Sequence, residues 1–430
     1  MMTGLTIFEF DRVFDTNKGP TGLNVPSSVF TWLESQCIKY ESTGSWLKLT
    51  HSGGARAIQV TNYVGVIRAP CGYQIEVLPK TGKNTSPEKA RQLLIDMLSS
   101  LPEFRHIQTA SADLMVKKMP LLEVFINQFL SSVNQVIKRG LRSDYVSHEK
   151  NIFALRGRLK IVKHISQNLV RCDRFFTEHD EYMQNRPENR LIHTALRNVI
   201  TFSKSRENQR LARELSFVFD DVPVSNSIEQ DIKNIRLDRG MSYYSTALQW
   251  AQLIIKGFNP LTGFGSHHAA SLLFPMEALF EAYVEKGLRK QVKEGFFLKS
   301  QSSARYLVTH KAKQWFKLKP DLIIKSFDKN QMVLDAKWKL LDTSQDNSRQ
   351  KYQLSQADFY QMYAYGNYYL NGHGNIILIY PKTDLFLHPL ATFDFKQSAG
   401  MRLWVLPFCL ETKKLLLDNV DDNVKSMLKN

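Results

Sequence analysis

Residues 318–339 constrain this chain more than any other stretch. They read Leu-Lys-Pro-Asp-Leu-Ile-Ile-Lys, a short polar break, then Gln-Met-Val-Leu-Asp-Ala-Lys-Trp-Lys. The first piece predicts a strand carrying Pro320-Asp321. The break at Phe327-Asp328-Lys329-Asn330 predicts a hairpin turn, because Asp and Asn suit turn positions. The second piece alternates. Met332, Leu334, Ala336, Trp338 and Leu340 fall on one face, and Val333, Asp335, Lys337 and Lys339 on the other. Such a strand packs its apolar face into a core and presents a carboxylate and an ammonium side by side, with Asp321 brought in from the neighbouring strand.

That residue set matches the PD-(D/E)-x-K arrangement of metal-dependent nucleases, and the chemistry accounts for the residue types. Two carboxylates, Asp321 and Asp335, can hold a hard cation such as Mg²⁺, which takes oxygen ligands and keeps several waters. The ion polarises a phosphate and lowers the pKa of a bound water. Lys337, on the Asp335 face, can orient that water or offset charge developing on the phosphate. By itself the Asp-x-Lys tripeptide fits a solvated cross-strand ion pair equally well. The upstream Pro-Asp and the alternation favour the nuclease.

The chain is long enough for two or three domains with real cores. Its formal net charge of +16 suits a polyanionic partner, and the excess is concentrated. Residues 286–340 hold fourteen Lys and Arg against four Asp and Glu, and residues 138–174 hold ten against three. Cys37, Cys71, Cys172 and Cys409 are scattered without a C-x-x-C pair, which argues against a zinc ribbon or a disulfide framework. With no signal-like N-terminus and no membrane-length apolar run, the expected location is cytoplasmic, away from membranes.

The pattern predicts an α+β multidomain chain. Residues 1–140 form a β-rich and then helical N-terminal domain, with 1–84 mostly β. Residues 141–262 form an α-rich connector that includes a basic strand pair or a strand bulged at Gly157. Residues 263–430 form a nuclease-like α/β core. Thr85-Ser86-Pro87-Glu88 marks a helix start, and one long helix is expected from Pro187 to about Phe217. In the last domain an amphipathic helix begins near Met276 and carries Glu277 and Glu281 on one face. Glu281 is the preferred additional metal-site carboxylate and Glu277 the alternative; either also suits a solvated face. A later helix aligns Asp358, Gln361 and Tyr365, and Gln361-x-x-x-Tyr365 matches a pattern that accompanies this centre in RecB-like nucleases. That helix also reads as a tyrosine-rich core helix. His267 and His268 are weaker metal-ligand candidates, since adjacent histidines point apart on most backbones.

In order along the chain, Ile75-Glu-Val-Leu-Pro-Lys80, Leu155-Arg-Gly-Arg-Leu159, the Asn189-Arg-Leu-Ile-His helix, Met276–Val284 and the Asp321, Asp335, Ala336, Lys337, Gln361 series carry a family resemblance. The chain resembles the McrC family, nuclease subunits of McrBC-type modification-dependent restriction systems. The resemblance implies a restriction-endonuclease-like core and a Mg²⁺-dependent endonuclease with Asp321 and Asp335 as metal-binding carboxylates and Lys337 as catalytic lysine. It further implies an N-terminal region docked on a McrB-like AAA+ GTPase whose hydrolysis it stimulates, and double-stranded DNA whose modified cytosine the partner recognises. No G-x-x-x-x-G-K-[S/T] loop is present. At Gly82-Lys83-Asn84-Thr85, Asn replaces Ser or Thr and Val77 replaces the first Gly, so nucleotide hydrolysis would come from another chain. Two other readings stay open: a stand-alone RecB-like repair nuclease, and a non-catalytic activator or DNA-binding adaptor.

Overall fold

The computed structural model describes residues 4–17, 22–39, 46–82, 85–101, 119–255, 272–300, 305–327, 329–396 and 400–429. By contacts the chain forms two compact units, Met1–Lys118 together with Leu273–Asn430, and Met119–Leu272. Among the described residues no helix is long and apolar enough to cross a membrane.

The first unit opens with β1 (Gly4–Phe8), β2 (Arg12–Asp15), β3 (Asn24–Val25), α1 (Ser27–Lys39), β4 (Leu47–Ser52), β5 (Ala55–Val60), β6 (Tyr63–Arg68), β7 (Gln74–Leu78) and α2 (Pro87–Leu98). Helix α1 interrupts the β structure expected over 1–84. The Pro26 carbonyl accepts the Val29 and Phe30 N–H groups, and Val29, Phe30, Leu33 and Cys37 form its buried stripe. At α2 the capping residue is Ser86, whose hydroxyl accepts the Lys89 N–H, with Pro87 beginning the helix.

The second unit comprises α3 (Leu121–Arg139), β8 (Asp144–Ile152), β9 (Arg158–Leu159), α4 (Ile161–Asn168), β10 (Phe175–Met183), α5 (Pro187–Phe202), α6 (Arg206–Phe217), α7 (Ile228–Lys233) and α8 (Tyr244–Ile255). Strands β8 and β9 both pair with β10. Gly157 turns between them at φ +73, where a Cβ would lie 2.3 Å from the Glu178 carbonyl oxygen, so only glycine fits. The long helix expected from Pro187 is two helices. Buried Glu123 accepts the Ser203 hydroxyl and the Lys204 N–H at the break, and Ser205 caps α6 through the Asn208 N–H. These polar groups supply the backbone with partners that continued helix would have supplied.

The chain then re-enters the first unit through β11 (Leu272–Pro275), which pairs with β6 and completes the sheet β1-β7-β6-β11. That pairing joins stretches that sequence order had set apart as first and last domains. There follow α9 (Met276–Gln291), β12 (Phe297–Ser300), β13 (Arg305–His310), β14 (Lys313–Leu318), β15 (Leu322–Ser326), β16 (Lys329–Ala336), α10 (Gln356–Leu370), β17 (His373–Pro381), β18 (Phe393–Asp394), β19 (Gly400–Cys409), β20 (Lys414–Leu415) and α11 (Asp422–Met427). A mixed sheet runs β12-β15-β16-β17-β19-β18. β15 and β16 are antiparallel, whereas β16, β17 and β19 are mutually parallel, with α10 crossing from β16 to β17. Its core gathers Val333, Ile376, Leu378 and Val405 against Met362 and Tyr365 of α10.

Candidate functional site

The site lies where β15 begins and β16 ends. β14 stops at Leu318 and β15 starts at Leu322, so Asp321 sits in the link just before its strand and not within it. The strand alternation read from the sequence also needs correcting. Met332, Val333 and Leu334 are all fully buried, and Asp335 is only 1% exposed. β16 is an interior strand between β15 and β17, with α9 and α10 packed on it, so neither face meets water. The strand ends at Ala336; beyond it the Lys337 N–H donates to the Ile379 carbonyl at 2.8 Å.

Four of the residues singled out in the sequence are joined by direct contacts. The Ala336 N–H donates to Asp321 Oδ2 at 2.8 Å, which ties that carboxylate to the end of β16. Lys337 Nζ lies 2.7 Å from Asp335 Oδ2 and donates to Gln361 Oε1 at 3.1 Å. Gln361 Nε2 donates to the Tyr365 hydroxyl at 2.7 Å, and that hydroxyl donates to the Lys319 carbonyl at 3.0 Å. A chain of polar contacts thus runs from Asp335 through one ammonium, one amide and one phenol to the link that carries Asp321. The spacing of Gln361 and Tyr365 on one helix face makes this possible.

The two α9 carboxylates part company. Glu277 is exposed and accepts the Asn62 amide at 3.3 Å. Glu281 is raised above the usual carboxylate range by burial and then by the Asp335 charge, so it belongs to the electrostatic cluster. Burial, followed by the charges of Asp335 and Glu281, pushes Asp321 up to about 8. Asp335 is likewise raised by burial, with Lys337 opposing. For Lys337, burial works against the ammonium, but Asp335 outweighs it and holds the pKa above the ordinary lysine value. Asp321, Asp335 and Glu281, with Asp358 also acting on Asp335, outnumber the lysines that oppose them, Lys337 and Lys319, an arrangement of the kind that marks functional sites.

Asp358 is engaged otherwise, accepting the Tyr380 hydroxyl at 3.2 Å. His267 and His268 lie outside the described residues. Sequence reading missed Glu9 altogether. Trp338 Nε1 lies 3.0 Å from each of its carboxylate oxygens, and the Lys80 N–H donates to it at 2.8 Å. Burial pushes Glu9 up to about 8. Nothing local signals this contact, which spans 329 positions.

Among the described residues no group of three or more His, Cys, Asp or Glu side chains forms a ready-made metal cage. The donors that do converge are carboxylate oxygens, and they suit an ion that binds through one or two carboxylates and keeps its waters.

Comparison with known proteins agrees with this geometry at the level of family and fold. Residues 58–381 match the family model of the McrBC 5-methylcytosine restriction system component. A solved half-complex from a tetradecameric assembly of Thermococcus gammatolerans McrB AAA+ hexamers with bound McrC contains a chain of the same fold. Its TM-score is 0.70 at 17% identity, with 98% of each chain covered. A chain in the cryo-EM structure of the Thermococcus gammatolerans McrBC complex overlaps 66% of this chain and 86% of its own, at 19% identity and a TM-score of 0.48. No curated protein matches.

Proposed function

We propose, on the premise that this chain belongs to the McrBC family of 5-methylcytosine restriction system components, that it is the Mg²⁺-dependent DNA endonuclease subunit of such a system. The observation that carries the reading is the convergence of Asp321, Asp335 and Lys337 at the ends of two adjacent strands, with Gln361 holding the lysine. Asp321 and Asp335, with Glu281 beside them, would hold the ion. When bound, it supplies polarisation of the phosphate and a water of lowered pKa. The chain's own residues do the rest. Lys337, kept protonated by Asp335, places positive charge where negative charge builds on the phosphate. The Gln361–Tyr365–Lys319 contacts fix its direction. Asp321 and Glu281, raised by burial and by the Asp335 charge, would hold a cation only in their ionised form, so protons would compete with the ion for these oxygens.

An AAA+ GTPase partner completes the reading, with this chain stimulating its hydrolysis. The Thermococcus gammatolerans assembly of McrB AAA+ hexamers with bound McrC supports it, as does the lack of a phosphate-binding loop in this sequence. The net charge of +16 supports DNA as substrate, with the modified cytosine read by the partner.

The test is cleavage of methylated and unmethylated plasmid in Mg²⁺, by the chain alone and then with its AAA+ partner and GTP. Cutting of methylated plasmid only in the complete mixture is the expected result. Cutting by the chain alone would instead make it an autonomous RecB-like nuclease. A second reading is a non-catalytic activator of the AAA+ partner. GTPase stimulation without cutting in any mixture would establish that reading.

A further inference from the structure

Directly before the Asp321 link, β13 and β14 pair, among the described residues, only with each other, as a two-stranded antiparallel ribbon. From Leu307 through Lys317 every residue is exposed, so neither face of the ribbon is covered. An isolated pair of strands is marginal in water, yet this one carries Leu307, Val308, Trp315 and Phe316 in the open, with Trp315 47% and Phe316 67% exposed. Residues 305–318 include Arg305, Lys311, Lys313 and Lys317 and no Asp or Glu. The register sets Lys313, Trp315 and Lys317 opposite His310, Val308 and Tyr306, so that along β14 a lysine stands two positions to either side of an indole. Trp315 packs edge-on against His310, 5.2 Å between ring centres. Three residues take left-handed backbone without being glycine: Lys311 and Ala312 at the tip and Phe316 beside the indole. For a residue as bulky as Phe this conformation is costly.

The ribbon's base is tied to the candidate site. The Tyr369 hydroxyl donates to the Leu318 carbonyl at 2.9 Å and accepts the Arg305 N–H at 3.4 Å, pinning both strands. Arg305 also stacks over the Tyr369 ring and reaches the Tyr368 carbonyl. One helical turn before Tyr369, Tyr365 holds the Lys319 carbonyl and meets Gln361.

We infer that this ribbon is a DNA-engaging arm that lies in a groove of duplex DNA and presents the strand to the Asp321/Asp335 centre. Its placement beside a cleavage centre rests on the nuclease reading above. A two-stranded β-ribbon fits the major groove, lysines on its face meet phosphates, and exposed Trp and Phe supply apolar contact to bases. An uncovered, acid-free ribbon with exposed aromatic rings suits a polyanion with apolar bases better than a protein surface.

The experiment measures anisotropy of a labelled 30-bp duplex with the full-length chain in EDTA across a salt series. The Lys311→Gln/Lys313→Gln/Lys317→Gln variant should flatten the slope of log affinity against log salt by about 3. Trp315→Ala/Phe316→Ala should weaken binding at least about tenfold and leave that slope unchanged. All these side chains are exposed, and an unchanged melting temperature confirms that the variants fold. Parental affinity and slope in both variants would overturn the inference, as would absence of duplex binding by the parent chain. Loss of assembly with the AAA+ partner at unchanged duplex affinity would also overturn it and assign the ribbon to a protein. The two readings fail separately. Plasmid cutting by the parent mixture with ribbon variants that bind normally removes the arm alone, whereas ribbon-dependent binding without any cutting removes the nuclease alone.

Discussion

Asp231 in the second unit and Asp335 in the first are both buried carboxylates facing a cation, and they are built in opposite ways. Asp231 meets the Arg190 guanidinium through two parallel bonds, at 2.5 and 3.0 Å, and accepts the Ser225 hydroxyl at 2.6 Å. Burial raises its pKa, but Arg190 and Ser225 outweigh burial and hold it below the usual range. Asp335 meets one ammonium that it shares with Gln361, and burial keeps it raised. The difference lies in how fully protein donors replace water. A carboxylate with a bidentate arginine and a hydroxyl is complete as it stands; one that shares a single lysine beside other carboxylates keeps charge that its neighbours do not offset.

The largest expected effect tests the incomplete site. Asp335→Asn should lower plasmid cleavage by the complete mixture at least about 10³-fold, as loss of several kcal/mol of transition-state stabilisation requires, with a melting temperature equal to or above the parent's. Retained cutting would end the assignment. The mirror experiment is Asp231→Ala. It leaves the partly exposed Arg190 guanidinium with its Asn185 hydrogen bonds alone and should cost about 1–3 kcal/mol in urea unfolding.

Metal binding sharpens the contrast further. At about five times its Kd, Mg²⁺ should raise the melting temperature by about 1–2 °C, less at pH 5.5 than at pH 7.5, because protons compete for the same oxygens. Asp321→Asn should abolish the shift. A shift that persists would place the ion elsewhere.

Glu9 supplies a third buried carboxylate, with an indole in place of a cation. Its folded pKa of about 8 lies above its ordinary 4.5, so folding favours the protonated form. The contribution to stability is complete below about pH 4.5 and is lost as pH rises through about 8. Glu9→Gln should therefore flatten the fall in urea midpoint between pH 5 and pH 8; an unchanged slope would mean that Glu9 does not titrate in that window. The smallest difference separates neighbours on α9. Glu281→Gln should reduce cleavage about tenfold or more, whereas exposed Glu277→Gln should stay within about 0.5 kcal/mol of the parent in stability and cut normally.

What the sequence revealed tracks contact distance along the chain. Asp321, Asp335 and Lys337 are brought together by two strands adjacent in sequence, so strand spacing sufficed to place them near each other, although Lys329 and Asn330, expected in the turn, belong to β16. Ser86-Pro87 announced α2 for the same local reason, and the i to i+4 spacing placed Gln361 against Tyr365. The burial of both faces of β16 was hidden, because it depends on β17 and two helices supplied by residues far away. The break at Ser203–Ser205 depends on Glu123, eighty positions earlier, and the Glu9–Trp338 contact has no local pattern at all. The β13–β14 hairpin gave no turn signal in the sequence, since the left-handed backbone at Lys311 and Ala312 forms the tight turn without the glycine or asparagine that normally marks one.

The Glu9–Trp338 contact also fixes an order of events during synthesis. At roughly 5–20 residues per second, the ribosome needs on the order of 15–70 s after making Glu9 to deliver its indole partner. The opening strands pair with one another well before that, and only the Glu9 carboxylate waits for its indole. The candidate site, whose strands belong to the chain's last third, therefore assembles late in each molecule's birth, after the opening sheets it is tied to through Glu9 and Trp338.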